Sequence, residues 1–530
     1  MAIAASGAHE LAVSEITVSR CCRSRTSEYV QISPKSQRGD LMDMPRLTAS
    51  SGGHAAPAAA ASMRVDTVFE RLLHKLPLAL AALLAGACAT HAVEVSVPPE
   101  KVVLYEGATL ISGDGRAAIV NSAFLVEGEK ITRIGRKGDM FPPKGAARVD
   151  LSGKTVIPTL VNAHSHPGYQ NGLSNSQRNY SYENYLADLN RSLYYGVSVV
   201  MSLGIDKDDV GLKIRAGQRA GKVGGARLLT AGRGIGAPNA GPGGTAYTGI
   251  AYEATTEADV RRDVQDIAAS RADQVKVWVD DRGGRAKALS QELYTAAIDE
   301  GHKQGIKVAA HVFYHVDAVA LVGAGVDSLA HLVRDKEMSS ELIADIVRKG
   351  TYIMPNLAGA ELFFKPPPDD PNLEALMRAT LTPPMFARAQ NPAPYYQDPA
   401  ATQRAKENFQ MQMRSLVKLN AAGARIILGP DTGILDNFFG ATEHRELELM
   451  VNAGMTPAQV IVAATSRTAE YLGLADTGSL VPGKNADFIV LNANSLDDIK
   501  NTRLISKVFV KGTEVDRPAL AAAILRAGAH

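Results

Sequence analysis

Two histidines one residue apart, His164 and His166, close the apolar run Val156-Ile-Pro-Thr-Leu-Val-Asn-Ala163. In an extended strand, residues i and i+2 point to the same side. Both imidazoles therefore project from one face at the end of a buried strand, and two neutral imidazoles held that way are half of a metal site. The same pair could equally be strand-end histidines hydrogen-bonded to loop backbone. Four more polar residues tip the balance. Lys276 sits in Gln274-Val-Lys-Val-Trp-Val279, His311 in Lys307-Val-Ala-Ala-His-Val312 and His331 in Ser328-Leu-Ala-His-Leu-Val333. Asp431 follows Arg425-Ile-Ile-Leu-Gly-Pro430. One such group in an apolar strand is a satisfied core residue by default. Six at corresponding places on five strands are hard to explain as packing. Four His and one Asp are the donor types that borderline metals such as zinc prefer.

These residues need a scaffold that brings strand ends together. From Thr155 to about residue 475 the chain alternates β-rich runs with helical stretches, several of them closing at Gly305, Gly325, Gly350 and Gly423. Eight strand–helix units argue for a (β/α)8 TIM barrel, whose active site lies at the C-terminal strand ends. A doubly wound open sheet is the alternative. Residues 93–154 and 476–530 carry short strands and turn signals instead. They are expected to pack together as one small, discontinuous β-sandwich domain flanking a 155–475 barrel. Two stretches break the rhythm, Gly-rich Arg233–Gly249 and Pro-rich Ala358–Gln403, and both read as long loops. The first is no phosphate loop, because no Gly-Lys-Ser/Thr follows.

With these motifs together, the chain resembles the amidohydrolase superfamily, in its imidazolonepropionase-like and prolidase-like branch. The resemblance covers roughly residues 100–515 and extends to the closing segment Gly478-Ser-Leu-Val-Pro-Gly-Lys-Asn-Ala-Asp487. It implies one or two divalent ions, with Zn2+ the expected metal. His164 and His166 would bind the buried ion, and His311 and His331 the second. Lys276 would bridge them after N6-carboxylation; the alternative is an unmodified lysine beside a single metal. Asp431 would touch the buried metal and move the proton. The implied activity is hydrolysis of a C–N bond in an amide, peptide-like or cyclic amide substrate, with a metal activating the attacking water. Ester, carbamate or lactone hydrolysis is the alternative on the same site, and a non-catalytic scaffold is a third. Thr159, Asn162 and Pro430 depart from the family pattern without removing a ligand. The acidic Asp280-Asp281-Arg282 stretch puts a simple dipeptidase in doubt. Asp280, Asp281 and Arg282 could face substrate or form a solvated salt bridge. Tyr314 and His315 could hold a substrate carboxylate or an oxyanion, or simply pack at the surface. His444 and Arg445 read as structural.

Composition narrows the partners. The 530 residues are 45% hydrophobic and 21% charged, with a net charge of +2. Beyond residue 92 the body is neutral, which argues against a nucleic-acid partner and leaves a small-molecule substrate. A homo-oligomer is compatible with the sequence. Cys21, Cys22 and Cys88 are the three cysteines, so the body has no disulfide and no cysteine nucleophile. No apolar run is long enough for a transmembrane helix. Residues 63–92 look like a secretory signal peptide, with a basic start, an apolar Leu76–Ala87 core and small residues to Ala92. Export to the periplasm or beyond is expected, with Cys88 a lipoprotein-type alternative and a buried or disordered apolar helix the bland one. Residues 1–62 have no core-forming pattern and read as disordered or as a start codon placed too early.

Overall fold

Alternating apolar runs and amphipathic stretches fold into eight parallel strands, each with a helix after it. The computed structural model describes residues 101–528 apart from 244–246, 365–368 and 394. The expected signal segment 63–92, Cys88 and residues 1–62 lie outside the described residues. In chain order the strands are β1 (Leu160–Ser165), β2 (Val197–Ser202), β3 (Arg227–Thr230), β4 (Val275–Val279), β5 (Val308–Val312), β6 (Ser328–Ala330), β7 (Tyr352–Met354) and β8 (Arg425–Ile426). The helices are α1 (Tyr182–Tyr194), α2 (Val210–Arg219), α3 (Glu257–Ala269), α4 (Gln291–Lys303), α5 (His315–Ala324), α6 (Ser340–Lys349), α7 (Pro399–Ala421) and α8 (Ala441–Asn452). Local chemistry sets their ends. Thr256 and Asp259 form a reciprocal capping box at the start of α3. Gly325 and Gly350 end α5 and α6 in the left-handed conformation, which costs a glycine little.

The strands do not pair into one closed ladder, and this corrects the expectation of a closed barrel. β3, β2 and β1 form one parallel sheet. β4 to β8 run in sequence order in a seven-stranded sheet that begins with the short strands Tyr252–Glu253 and Ile235–Gly236. Two seams explain the break. At the first, the Asp273 carboxylate takes the Thr230 N–H at 2.8 Å, a place a neighbouring strand would fill. At the second, β8 is only two residues long, and Pro430 has no N–H to give. The Leu428 N–H turns to Thr468 Oγ1 at 3.0 Å. Single bonds still cross this seam: Ala163 N donates to Leu428 O at 2.9 Å and His166 N to Thr432 O at 2.7 Å.

Strand residues such as Val161, Ala163, Met201, Ala309, Ala330 and Met354 meet in one buried cluster. The helices cover the opposite strand faces with a larger one, through residues such as Leu342, Ile346 and Leu447. The flanks contribute two further sheets. Val102–Glu106, Ser122–Glu127, Lys130–Arg136 and Ala147–Asp150 make a four-stranded sheet. Thr155–Pro158 pairs antiparallel with Phe488–Leu491 in a five-stranded sheet. Tyr105 and Phe124 stack at 4.9 Å, and Phe488 and Phe509 at 4.4 Å. These four rings join the two sheets in one apolar core. The described residues all fall in one compact unit.

The Pro-rich stretch expected as a loop is largely helical, through Leu357–Glu361, Pro371–Thr380, Pro383–Gln390 and the start of α7. Pro371, Pro383 and Pro399 each open a helix behind Asp370, Thr382 and Asp398. A proline costs nothing at the first helical position, where its missing N–H has no partner to lose. Among the described residues, no helix is long and apolar enough to cross a membrane.

Candidate metal-binding active site

The β1 end carries His164 and, one step beyond it, His166. Their Nε2 atoms lie 3.2 Å apart. Asp431, in the turn after β8, places Oδ1 3.2 Å from His164 Nε2 and 2.8 Å from His166 Nε2. The three side chains can offer donor atoms within 4.8 Å of one another. β5 and β6 bring up the other two imidazoles. His311 lies opposite Ala330 in the register, one residue short of His331, and the two rings are 4.6 Å apart. His331 Nε2 reaches to 3.9 Å from Asp431 Oδ2, and its ring lies 5.4 Å from that of His164. Lys276, inside β4, is buried at 1% exposure, and its Nζ has no hydrogen-bond partner among the described residues.

Burial sets the protonation of these groups. It drives His164, His311 and His331 well below the usual imidazole range, with help from neighbouring cations. These rings are neutral and can donate lone pairs. Burial also lowers Lys276 to about 7 against a partial opposition from Asp431, so a large fraction of its amine is neutral near pH 7. Burial alone would raise Asp431, but the neighbouring His164 imidazole, the hydrogen bond from His166 and the Lys276 amine outweigh it. Its carboxyl is held below the usual range and stays ionised.

Of the supporting residues, Asn356 escaped the sequence reading, and Asp280 entered it only as a residue that could face substrate. Asn356, just past β7, lies with Nδ2 2.9 Å from His164 Nδ1, and its Oδ1 accepts the His331 N–H at 2.7 Å. It turns His164 Nε2 toward His166 and Asp431. A polar residue at a strand end was the signal that could have found it. Asp280, just past β4, takes His311 Nε2 at 3.0 Å and Arg282 Nη1 at 2.9 Å. Behind β1, Asn162 accepts the His164 N–H at 2.8 Å and donates to Glu443 of α8 at 2.7 Å. His331, Asn356 and Asp431 all have left-handed backbone, with φ of 80°, 54° and 62°. Such conformations cost non-glycine residues free energy and gather where surrounding structure holds a site in place.

The candidate substrate-facing residues are largely occupied by protein partners. Tyr314 donates its hydroxyl to Asp281 at 2.9 Å. Arg282 bonds Asp280 and the carbonyls of Ala240 and Gly241. His315 Nε2 accepts the Ser339 N–H at 3.2 Å at the start of α6. His444 bonds Tyr195 O and Thr502 Oγ1, each at 3.0 Å, a structural role.

The chemistry of the donors fits a divalent cation. Neutral imidazoles, an ionised carboxylate and the partnerless Lys276 Nζ and His166 Nδ1 are gathered in a buried place. Comparison with known proteins points the same way. Over 225 residues the chain is 27% identical to an uncharacterised protein of Mycobacterium tuberculosis, covering 42% of this chain and 55% of that one. Over 224 residues it is 28% identical to ochratoxinase of Aspergillus niger, covering 42% of this chain and 39% of that one. The chain thus spans about half the length of the curated relatives it matches, or less. The fold matches the crystal structure of a Xaa-Pro dipeptidase with bound methionine in its active site. The TM-score is 0.65 at 21% identity, covering 78% of this chain and 100% of that one. That match carries the TIM-barrel-like α/β fold. The model of the amidohydrolase family matches residues 155–515, most of the chain and every residue of the cluster, and the chain belongs to that family.

Proposed function

We propose that this chain is a metal-dependent hydrolase of a C–N bond in an amide, peptide-like or cyclic amide substrate. The observation that carries the reading is the convergence of His164 Nε2, His166 Nε2 and Asp431 Oδ1 within 3.2 Å beside the partnerless Lys276 Nζ. His164, His166 and Asp431 would hold one divalent ion, zinc for preference, and His311 with His331 a second, Lys276 lying between as a carboxylated bridge. Such an ion supplies charge that acidifies a water and polarises a carbonyl oxygen.

The chain's own residues do the rest. Asp431 is ionised, so it can take the proton of the attacking water and return it to the leaving nitrogen. Asn356 and Asn162 fix His164 from two sides, and Asp280 fixes His311. A partly neutral Lys276 can react with carbon dioxide, because carboxylation needs the free amine. The same reading has the flanks 93–154 and 476–530 as one composite β domain. It also has the chain exported through residues 63–92, which N-terminal sequencing of the native protein would test.

The deciding experiment combines metal analysis with a hydrolysis screen of N-acyl amino acids, dipeptides, aryl amides and aryl esters on metal-loaded protein. Turnover of amides that stops on chelation and returns with metal is the expected result. Turnover of esters alone would move the reading to C–O bonds. Well under one ion per chain, with no turnover, would sink it.

A further inference from the structure

Among the described residues around the ends of β4, β5 and β6, Arg334 enters none of the ion pairs. Asp280 is taken by Arg282 and His311, and Asp281 by Tyr314 and the Gly283 N–H. Arg334 stands three residues past His331. Its backbone N–H donates to Phe313 O at 2.9 Å, and its guanidinium lies 5.2 Å from the centre of the Phe313 ring. Its Nε and Nη2 are both sealed from solvent, and neither has a hydrogen-bond partner among the described residues. Standing three residues past His331 and bonded to backbone two residues past His311, on two paired strands, it sits at the strand ends that carry the candidate site. A buried guanidinium with two idle donors is costly unless something completes it.

The identity of those two nitrogens says what. Nε and Nη2 form the edge of a guanidinium that grips a carboxylate through both oxygens. The protein uses that edge twice elsewhere. Arg148 Nε and Nη2 each lie 2.9 Å from a different oxygen of Glu106. Arg445 Nε and Nη2 lie 2.9 and 2.7 Å from the two oxygens of Glu361. At Arg334 the same edge carries no carboxylate among the described residues.

We propose that the Nε–Nη2 edge of Arg334 binds a free carboxylate of the substrate, so that this enzyme selects amides bearing a carboxylate near the scissile C–N bond. The inference rests on the hydrolase reading and narrows its substrate class. Asp280 is taken by Arg282 and His311 and does not claim the Arg334 edge, and Arg282, tied to Asp280 and two backbone carbonyls, does not compete for the substrate carboxylate.

The test uses matched pairs: N-acyl-L-amino acids and the N-alkyl amides that differ from them only by loss of the carboxylate. The metal-loaded wild type should prefer the acids in kcat/KM. Arg334→Gln should cut that preference, read as the acid-to-amide ratio of kcat/KM, by at least about 10²-fold. Arg334→Lys, which keeps the charge but not the fork, should recover only part of it. An acid-to-amide ratio unchanged in both variants would overturn the proposal and leave the hydrolase reading intact. It would also be the result if a resident inorganic anion filled the edge. If neither series is hydrolysed, the hydrolase reading fails on these substrates, and calorimetric binding of the same acids decides on Arg334 by itself. Binding lost in Arg334→Gln supports the anchor, and binding absent or unaltered overturns it. Melting curves on both variants exclude loss of fold, and Arg334→Lys carries the test should Arg334→Gln fail to fold.

Discussion

Asn356 holds His164 by the nitrogen opposite the one that faces Asp431: its Nδ2 lies 2.9 Å from His164 Nδ1. The same side chain takes the His331 N–H at 2.7 Å, so one amide orients both histidine segments. Residues that orient ligating imidazoles are worth about 10–100-fold in metal affinity. Asn356→Ala should therefore release metal to a competing chelator about 10–100-fold more readily than the wild type. Titration against a chromogenic chelator reads this directly. The left-handed backbone at Asn356, with φ 54°, adds a modest loss of stability in the alanine variant. Asn356→Gly separates the two effects, since it relieves the backbone but not the lost amide. Metal retention like the wild type's in both variants would remove Asn356 from the site.

Asp431→Asn keeps the shape of the side chain but not its basicity. It should lower kcat by about 10²–10⁴-fold, the range for loss of a general base, with a smaller change in KM. Metal content, measured on the same sample, should stay substantial because the two histidines remain. Near wild-type turnover would exclude Asp431 as the proton carrier.

Much of this cluster was legible because each member interrupts an apolar strand. His164, His166, Lys276, His311 and His331 are polar exceptions in buried runs, and a buried polar group needs a partner or a job. Asn356 was not legible in that way, because an asparagine between a strand and a helix is also an ordinary turn residue. Arg334 was hidden for a similar reason: an arginine in a loop looks like solvated charge until its neighbours are known. The helices within Ala358–Gln403 are hidden by its proline content, which reads as loop, although Asp370-Pro371 and Asp398-Pro399 are helix-start signals. The pairing of Thr155–Pro158 with Phe488–Leu491 spans more than 300 residues of chain, and no local pattern encodes it. The break in the strand ring comes from side chains that take ladder positions at its seams, such as Asp273 on the Thr230 N–H, which periodicity does not report.

Gly204 is the glycine that lets Lys276 lie where it does. A Cβ there would sit 2.6 Å from Lys276 Cγ and 3.0 Å from Trp278 Cη2, and the backbone has φ of +97°. Gly204→Ala should thus displace Lys276 and lower the melting temperature, by strain of about 1–3 kcal/mol. If Lys276 is carboxylated, recovery of activity from metal-free wild-type protein should depend on added bicarbonate. Gly204→Ala should need more bicarbonate or fail to recover, while a distant surface variant such as Lys213→Ala should behave as the wild type does. Recovery independent of bicarbonate in every protein would argue for an unmodified lysine.

Glu446 gives a pH signature away from the metal ligands. It is fully buried in α8 and accepts the N–H groups of Leu357 and Ala358 at 3.0 and 2.6 Å. Burial outweighs these bonds and raises its carboxyl from 4.5 to about 7. The folded state therefore binds this proton more tightly than the unfolded chain does. Its contribution to stability is fully present below pH 4.5 and is lost as pH rises through about 7. Glu446→Gln cannot ionise, but it gives up one of the two backbone contacts. At pH 5 the variant should be no more stable than the wild type. Between pH 5 and pH 8.5 its melting temperature relative to the wild type should climb, because only the wild type must then carry a buried charge. The comparison cancels the other titrating groups, including Asp431 and the histidines, which both proteins share. A melting-temperature difference that stays flat across that window would mean Glu446 is ionised in the folded protein throughout, with the Leu357 and Ala358 amides sufficient to hold its charge.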